Sequence, residues 1–291
     1  MEPPEVMIRP MRPDDVAAAE RLSDAAFRVL EGSPMGGGRS PERQLMWHAR
    51  TAHLLETDPA GCWVAERGQE LVGFATSFRR DLVWFLSTYA VLPHLQGMGL
   101  GRTLLETAMK HGDSCLRAML SASDDPKAFR RYRQAGFTMH PQMYLRGRVD
   151  RSAIPAISHV REGSDADVHL LDSLDRARRD AAHGPDHEVL LRQFRLVVTD
   201  RSTGQGYAYL DAHGEVALLA ASDRRTAARL LWEAVASAPE DTEWTLPHVT
   251  AANHWAIDVG LAARLDVHTS GFLALRGMKP PAPYIHHGAL L

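Results

Sequence analysis

An apolar segment passes into a helical segment through a glycine-rich turn, and this junction constrains the fold more than any other part of the chain. Residues 82–91 are rich in β-branched and aromatic side chains, which predicts a buried strand, and apolar residues recur at helical spacing from Leu100 onward. Gly97, Gly99 and Gly101 leave the backbone bare between the two elements, so N–H groups at the positive end of the helix can face an anion. The junction therefore predicts a phosphate-binding site.

Two familiar phosphate motifs do not fit the turn. A Walker loop has four residues between its glycines and then Lys-Ser/Thr, whereas three residues separate Gly97 from Gly101 and Arg102 follows. The dinucleotide fingerprint G-x-G-x-x-G opens an early βαβ unit, whereas this turn reads G-x-G-x-G after the fourth expected strand.

The turn instead resembles the acetyl-CoA loop of the GNAT family of N-acetyltransferases. The family pattern Gln/Arg-x-x-G-x-G/A, preceded by V-x-P, is matched by Gln96, Gly99 and Gly101. About thirty positions later, residues 128–137 match the family's A-x-x-x-Y-x-x-x-G-F signature, with Gly136 as the expected helix C-cap. Two motifs in the family's order are more specific than either alone.

The resemblance implies roles for particular residues. It makes Tyr132 the catalytic acid that protonates the departing thiolate, and it makes acetyl-CoA the co-substrate, with no metal. Ser123 stands where many relatives carry Asn, so a contact to the pantetheine arm is altered or absent. The cofactor-binding residues that the resemblance implies are Tyr89, Ala90, Val91, Gln96, Gly97, Met98, Gly99, Leu100, Gly101, Arg102 and Ser123.

Composition bounds the class of protein. A chain of 291 residues predicts two domains, and 45% hydrophobic with 24% charged residues is typical of a globular protein with a sizeable core. A net charge of −3 gives no electrostatic reason to expect nucleic acid or an anionic membrane as a partner. We see no signal peptide or membrane segment, and Cys62 and Cys115 both fall in apolar segments expected to be strands, so we expect a cytoplasmic protein without a disulfide framework.

The order of expected elements occurs twice, which predicts an α+β (mixed α/β) protein of two tandem GNAT folds, each a mostly antiparallel mixed sheet flanked by helices. The expected domains are residues 1–150, which bind acetyl-CoA, and residues 157–291, which form a degenerate copy. In the copy, a strand at residues 157–161 corresponds to the one at 6–11, and Gly206-Tyr207-Ala208 corresponds to Gly73-Phe74-Ala75. A join containing Pro155 separates them.

The second copy lacks the glycine loop. Its fourth strand, residues 216–221, is followed by Ser222-Asp223, which would put a carboxylate where a diphosphate would lie, and its later helix has no aligned tyrosine. We therefore expect this copy to bind no cofactor and to shape the substrate pocket. The arrangement resembles the tandem acetyltransferases, including the mycothiol-synthase-like and Eis-like proteins.

The expected activity is direct transfer of the acetyl group of acetyl-CoA to a primary amine of a small molecule. Alternatives are transfer to a peptide or protein amine and a non-catalytic acyl-CoA sensor. The general base stays open among Asp124, His48, the terminal carboxylate of Leu291 and ordered water. A homodimer also stays open.

Two histidine pairs, a glycine-rich loop and the proline-rich tail also allow expectations. His183 and His187 are four residues apart, but Gly184-Pro185 between them argues against a helix that would align them on a metal. The pair His286-His287 is expected at the surface. A loop containing Gly36-Gly37-Gly38 is a candidate lid, and Met35, Met46 and Trp47 are candidate acceptor-site residues. The proline-rich tail at 278–285 must lie on another surface, since it cannot be helical.

Overall fold

The computed structural model describes residues 5–28 and 38–291. Within these ranges, no helix is long and apolar enough to cross a membrane. Met35, Gly36 and Gly37 of the candidate lid lie outside the described residues.

The first half of the chain alternates strands and helices. Proline and a capping side chain set several helix starts: Ser40 accepts from the Arg43 N–H before one helix, and Asp125 accepts from the Lys127 N–H before another. The elements are β1 (Val6–Pro10), α1 (Val16–Arg28), α2 (Pro41–Thr57), β2 (Cys62–Arg67), β3 (Glu70–Arg80), β4 (Val83–Val91), α3 (Leu100–Met109), β5 (Arg117–Ala122), α4 (Pro126–Gln134) and β6 (Thr138–Arg148).

The second half contains a similar succession of elements. They are β7 (Arg161–Glu162), α5 (Val168–Arg179), α6 (Asp186–Gln193), β8 (Arg195–Arg201), β9 (Gly204–Leu210), β10 (Val216–Ala221), α7 (Arg224–Ala236), β11 (Glu243–Thr250), α8 (His254–Ala262), β12 (Asp266–Arg276) and β13 (Tyr284–Ile285). The strand expected at 157–161 is shorter than predicted, since only Arg161–Glu162 pairs with β8. Cys115 precedes β5 rather than lying in it, and both cysteines are buried free thiols.

The strands form two mostly antiparallel sheets flanked by helices, which confirms the predicted α+β class. An eight-stranded sheet has the order β1-β2-β3-β4-β5-β12-β6-β11, and a five-stranded sheet has the order β13-β10-β9-β8-β7. Among the strands of residues 5–28 and 38–291, only the β4–β5 pair is parallel.

The two halves exchange strands in the larger sheet. β12, from the second half, pairs antiparallel with β5 on one side and with β6 on the other, and β11 then pairs with the outer edge of β6. The sequence repeat did not predict this exchange, because strand periodicity indicates which face is buried but not which neighbour a strand pairs with. Neither half can therefore lose its partner without exposing unpaired strand edges.

A buried charge network also joins the halves. Arg80, at the end of β3, donates to Asp58 at 2.7 Å and to Asp186 of α6 at 2.9 Å, and His53 lies 2.8 Å from Asp186. Burial would raise the pKa of Asp186, but the hydrogen bond with His53 and the charge of Arg80 outweigh it, so the pKa lies below its ordinary value.

Replacing Arg80 with Met should destabilise the protein by about 3 kcal/mol, because it leaves the Asp58 and Asp186 carboxylates buried without a countercharge. Urea unfolding followed by circular dichroism measures the change. The matched control is Arg79→Met, an exposed neighbour on the opposite face of β3, which should change stability by about 0.5 kcal/mol or less. Equal losses for the two variants would show that the Arg80 network does not hold the halves together.

Candidate functional site

The parallel strands β4 and β5 separate part-way along their length. They pair from Val83 with Arg117 to Leu86 with Leu120, and no β4–β5 pair follows. The register between β3 and β4 shifts at the same place, since Ser77 pairs with Leu86 and Thr76 pairs with Thr88. Such a bulge bends the strand and ends its pairing. We call the opening between residues 87–91 of β4 and the end of β5 the fork.

The backbone of β4 turns unpaired groups toward the fork. Leu92 N–H donates to the Val72 carbonyl at 2.9 Å, and residues of an antiparallel strand alternate between facing one neighbour and the other. The amides of Ala90 therefore face β3, whereas those of Tyr89 and Val91 face the fork. Gln96 Nε2 donates to the Val91 carbonyl at 3.1 Å, so the Gln96 side chain also lies at this edge.

The glycine loop beyond β4 presents a row of N–H groups. Gly97 and Gly99 have φ angles of +84° and +91°, a region that side chains with a Cβ disfavour. Within the described residues, the N–H groups of residues 97–101 make no backbone hydrogen bond, whereas Arg102 N–H donates to the Gly99 carbonyl at 2.9 Å. The loop ends at the N-terminus of α3, so these amides and the helix dipole favour an anion at the same point.

The side chains of the loop point into solvent at some positions, whereas at Gly101 the backbone lies close to a neighbouring side chain. Met98 is 75% exposed, and Arg102 is exposed and pairs with Glu106 at 2.8 Å. A Cβ on Gly101 would lie 2.3 Å from the Tyr89 hydroxyl, so this position needs glycine for a close approach rather than for its φ angle.

Tyr132 lies beside the fork on the inner face of α4. Its side chain is 5% exposed, and its ring centroid lies 6.4 Å from that of Tyr89. Burial, and then the neighbouring Tyr89 and Asp125, raise the pKa of Tyr132 above its ordinary value; burial also raises the pKa of Tyr89, to about 12. The Tyr132 phenol therefore keeps its proton at neutral pH. Gly136 follows α4 with φ +88°, as the predicted C-cap requires.

The end of β5 meets the second half of the chain. Ser123 follows β5 and is half-buried. Asp124 accepts a hydrogen bond at 2.6 Å from the N–H of Gly271, in the bulge of β12. One candidate base thus already has a donor partner from the exchanged strand.

The two other protein candidates for the base lie in different surroundings. His48 lines a groove between the start of α1 and the outer side of α2, together with Ala17, Leu45 and Ala52. Leu291 is fully buried, and Arg179 donates to its main-chain oxygen.

The second half has no open counterpart of the fork. There, β13 pairs along the edge of β10, with Leu219 opposite Ile285, and it also contacts β11. The N-terminus of α7 is capped by Asp223, which accepts from the Thr226 N–H at 2.9 Å. The chain's own tail thus occupies the edge that β4 leaves unpaired in the first half, and a carboxylate occupies the helix N-terminus.

The expectation that His286 lies at the surface was wrong, whereas the expectation that no helix spans His183 and His187 is confirmed, since α6 begins at Asp186. His286 is 2% exposed, because the tail runs inward after β13, and its Nε2 lies 2.8 Å from Gln142 Nε2. His183 and His187 converge despite Gly184-Pro185, because His183 sits just before α6; with Asp175 they bring possible ligand atoms within 4.8 Å of one another. Asp175 is already bound by the Tyr207 hydroxyl and by His183 Nδ1 at 2.7 Å. No sequence pattern indicates these contacts, since they join elements distant along the chain.

Solved structures of other proteins share this architecture. An acetyltransferase from Pyrococcus horikoshii, titled as putative, has a TM-score of 0.74 at 18% identity, over 98% of this chain and 95% of that chain. A GCN5-related N-acetyltransferase from Kribbella flavida has a TM-score of 0.60 at 14% identity, over 94% of this chain and 71% of that chain. The fold is therefore that of the N-acetyltransferases over nearly the whole chain.

Sequence comparison finds similarity over part of the chain. Residues 25–137 match the model of the acetyltransferase (GNAT) family. A mycothiol acetyltransferase from Thermomonospora curvata is 37% identical over 87 residues, which are 28% of this chain and 29% of the length of that relative. Residues 25–137 are therefore similar in sequence to the GNAT acetyltransferases, and the match spans less than a third of the length of the curated relative.

Replacing Gly99 with Val should weaken coenzyme A binding about tenfold or more. A β-branched residue disfavours φ +91°, so the N–H groups of the loop would no longer point toward one anion. Isothermal titration calorimetry with coenzyme A measures the affinity. The matched control is Gly68→Val in the β2–β3 turn, where φ is +68° and the space is equally open; it should bind as the unmodified protein does. Unchanged affinity in Gly99→Val would remove the loop from the binding site.

Proposed function

We propose that the chain is an N-acetyltransferase that transfers the acetyl group of acetyl-CoA directly to a primary amine of a small molecule. The observation that carries the proposal is the fork itself: unpaired amides of β4 lead into unpaired amides of the glycine loop, with Tyr132 beside them. One continuous line of donors suits a pantetheine arm followed by a diphosphate.

The geometry supports a role for each group. The Tyr89 and Val91 amides would pair with the pantetheine amides as an added strand does, and Ala90, whose amides face β3, would contribute only by fixing β4. The N–H groups of residues 97–101 would bind the diphosphate. Gln96 would orient Val91 and the loop, Ser123 would lie near the pantetheine arm, and Arg102 would act through its exposed side chain, since its N–H is used within α3.

In the proposed reaction, the amine and the proton donor Tyr132 act on opposite sides of β4. The amine nitrogen attacks the thioester carbon, the N–C bond forms and the C–S bond breaks. Tyr132 gives its proton to the departing thiolate and regains one from solvent, while the attacking nitrogen loses its proton to a base or to water. Transfer within a ternary complex needs no covalent enzyme intermediate.

The second half would serve a different purpose. With β13 on β10 and Asp223 at the α7 N-terminus, it would bind no second cofactor, and its contribution would be to complete the sheet and cover the acceptor side. We propose residues 1–150 and 157–291 as the two domains. Strands β11 and β12 belong to the second domain in sequence but pair with strands of the first domain.

The alternatives are acetylation of a peptide or protein amine and sensing of acyl-CoA without turnover. Release of free thiol from acetyl-CoA that depends on added small amines would support the proposal. Release that depends only on peptides would favour the first alternative. Tight acetyl-CoA binding without release for any amine would favour the second.

Replacing Tyr132 with Phe should lower kcat about 100-fold or more and leave coenzyme A affinity unchanged, because only the proton donor is lost. Thiol release and calorimetry measure the two quantities. Since burial raises the pKa of Tyr132, its hydroxyl stays protonated in base, so the rate of the unmodified enzyme should not fall between pH 8 and about 9.5.

The control for this variant is Tyr144→Phe on β6, whose ring stacks on His268 at 4.9 Å and which should keep full activity. Full activity in Tyr132→Phe would exclude this residue as the acid.

A further inference from the structure

The inner face of α2 lies against the fork on the side opposite Tyr132. Trp47 is 3% exposed, and its ring contacts Phe74 with centroids 5.9 Å apart. Phe74 pairs with Ala90 of β4, beyond the point where β4 and β5 separate. Trp47, Phe74 and Ala90 share one buried cluster, whereas Val91 and Tyr132 belong to the cluster under α3 and α4. An amine that approaches the thioester from the side of β4 opposite Tyr132 would meet α2.

This face carries hydrogen-bond donors without acceptors. Trp47 Nε1 and Arg50 Nε are buried, have no hydrogen-bond partner, and are one helical turn apart on α2. An indole N–H and a guanidinium can only donate. Within the described residues, Arg50 forms no ion pair, whereas its neighbour Arg39 is matched by Glu20 at 3.0 Å.

The unpaired charge of Arg50 is costly to the fold. Burial, and then the nearby Arg39, lower the pKa of Arg50 to about 10, so it is still a cation at neutral pH. Arg50 is partly buried with its Nε enclosed, and a cation that is partly withdrawn from water without an anion is destabilising. Such a cost is typical of sites whose missing partner is a ligand.

A third donor lies close by on the tail. His287 Nδ1 accepts from the N–H groups of Ala289 at 3.1 Å and Leu290 at 2.9 Å, so the neutral ring carries its proton on Nε2. Burial, and then the positive charge of Arg50, keep the pKa of His287 well below its ordinary value. Two contacts link the tail to α2 through the end of α6. The His287 ring packs on Phe194, and the adjacent Gln193 side chain donates to the Met46 carbonyl of α2.

We infer that the acceptor amine also carries a carboxylate, and that Arg50, the Trp47 indole N–H and His287 Nε2–H bind it. This inference rests on the proposed function and narrows its substrate class to amines with a nearby anionic oxygen group. A carboxylate offers several lone pairs to match these donors, and it supplies the negative charge that Arg50 lacks. A second ammonium group at this position would be repelled.

Matched acceptors test the inference. Thiol release from acetyl-CoA is measured with the free L-amino acids and with the corresponding amino-acid amides, which keep the amine and lose the carboxylate. The amino acids that react should exceed their amides in kcat/KM by about 10- to 100-fold, the range expected for a charge-assisted hydrogen bond. Arg50→Met should remove most of this ratio, whereas Arg43→Gln, an exposed position on the same helix, should keep it.

The Tm of Arg50→Met distinguishes a binding role for Arg50 from a structural one. Arg50→Met removes a partly buried charge that has no ion partner among the described residues, so its Tm should equal or exceed that of the unmodified protein, and coenzyme A affinity should not change. A clear fall in Tm, or an amino-acid preference that Arg50→Met retains, would overturn the inference. If the unmodified protein acetylates amides as well as amino acids, the inference fails while the proposed function stands. If it acetylates no amine although it binds acetyl-CoA, the proposed function fails.

Discussion

The separation of β4 from β5 is the constraint on which the rest of the structure depends. Backbone N–H and C=O groups in a sheet are almost always paired, yet β4 leaves the fork-facing groups of Tyr89 and Val91 without a strand partner after Leu86. A folded protein tolerates such an edge where a ligand completes it. The bulge at Ser87 creates the edge, and the glycine loop extends it to the N-terminus of α3, so under the proposed function strand, loop and helix end would form one binding surface.

The same constraint is met differently in the second half. There the chain's own β13 pairs with β10, and Asp223 caps the following helix, so under the proposed function this half would bind no cofactor. Segments of the second half contribute to the first half instead. β12 pairs with β5 in the larger sheet, and the tail brings His287 toward α2. Under the proposed function, catalysis would be confined to one half, although both halves contribute strands to the larger sheet.

Local chemistry made much of this predictable. The C-cap at Gly136 follows from the rules for helix ends, and the strands expected at 82–91 and 216–221 correspond closely to β4 and β10. The strand exchange and the burial of His286 were not predictable, because both depend on pairing between segments more than a hundred residues apart. The approach of His183 to His187 was not predictable for a related reason, since a turn can bring two side chains together where no helix joins them.

Hydrogen–deuterium exchange of the whole chain with and without coenzyme A tests the central claim most directly. The account predicts that coenzyme A slows exchange of the Tyr89 and Val91 amides and of the amides at 97–101, and leaves the amides at 222–226 of the second half unchanged. Protection at 222–226 alone, or no protection at 97–101 at a saturating concentration, would contradict it.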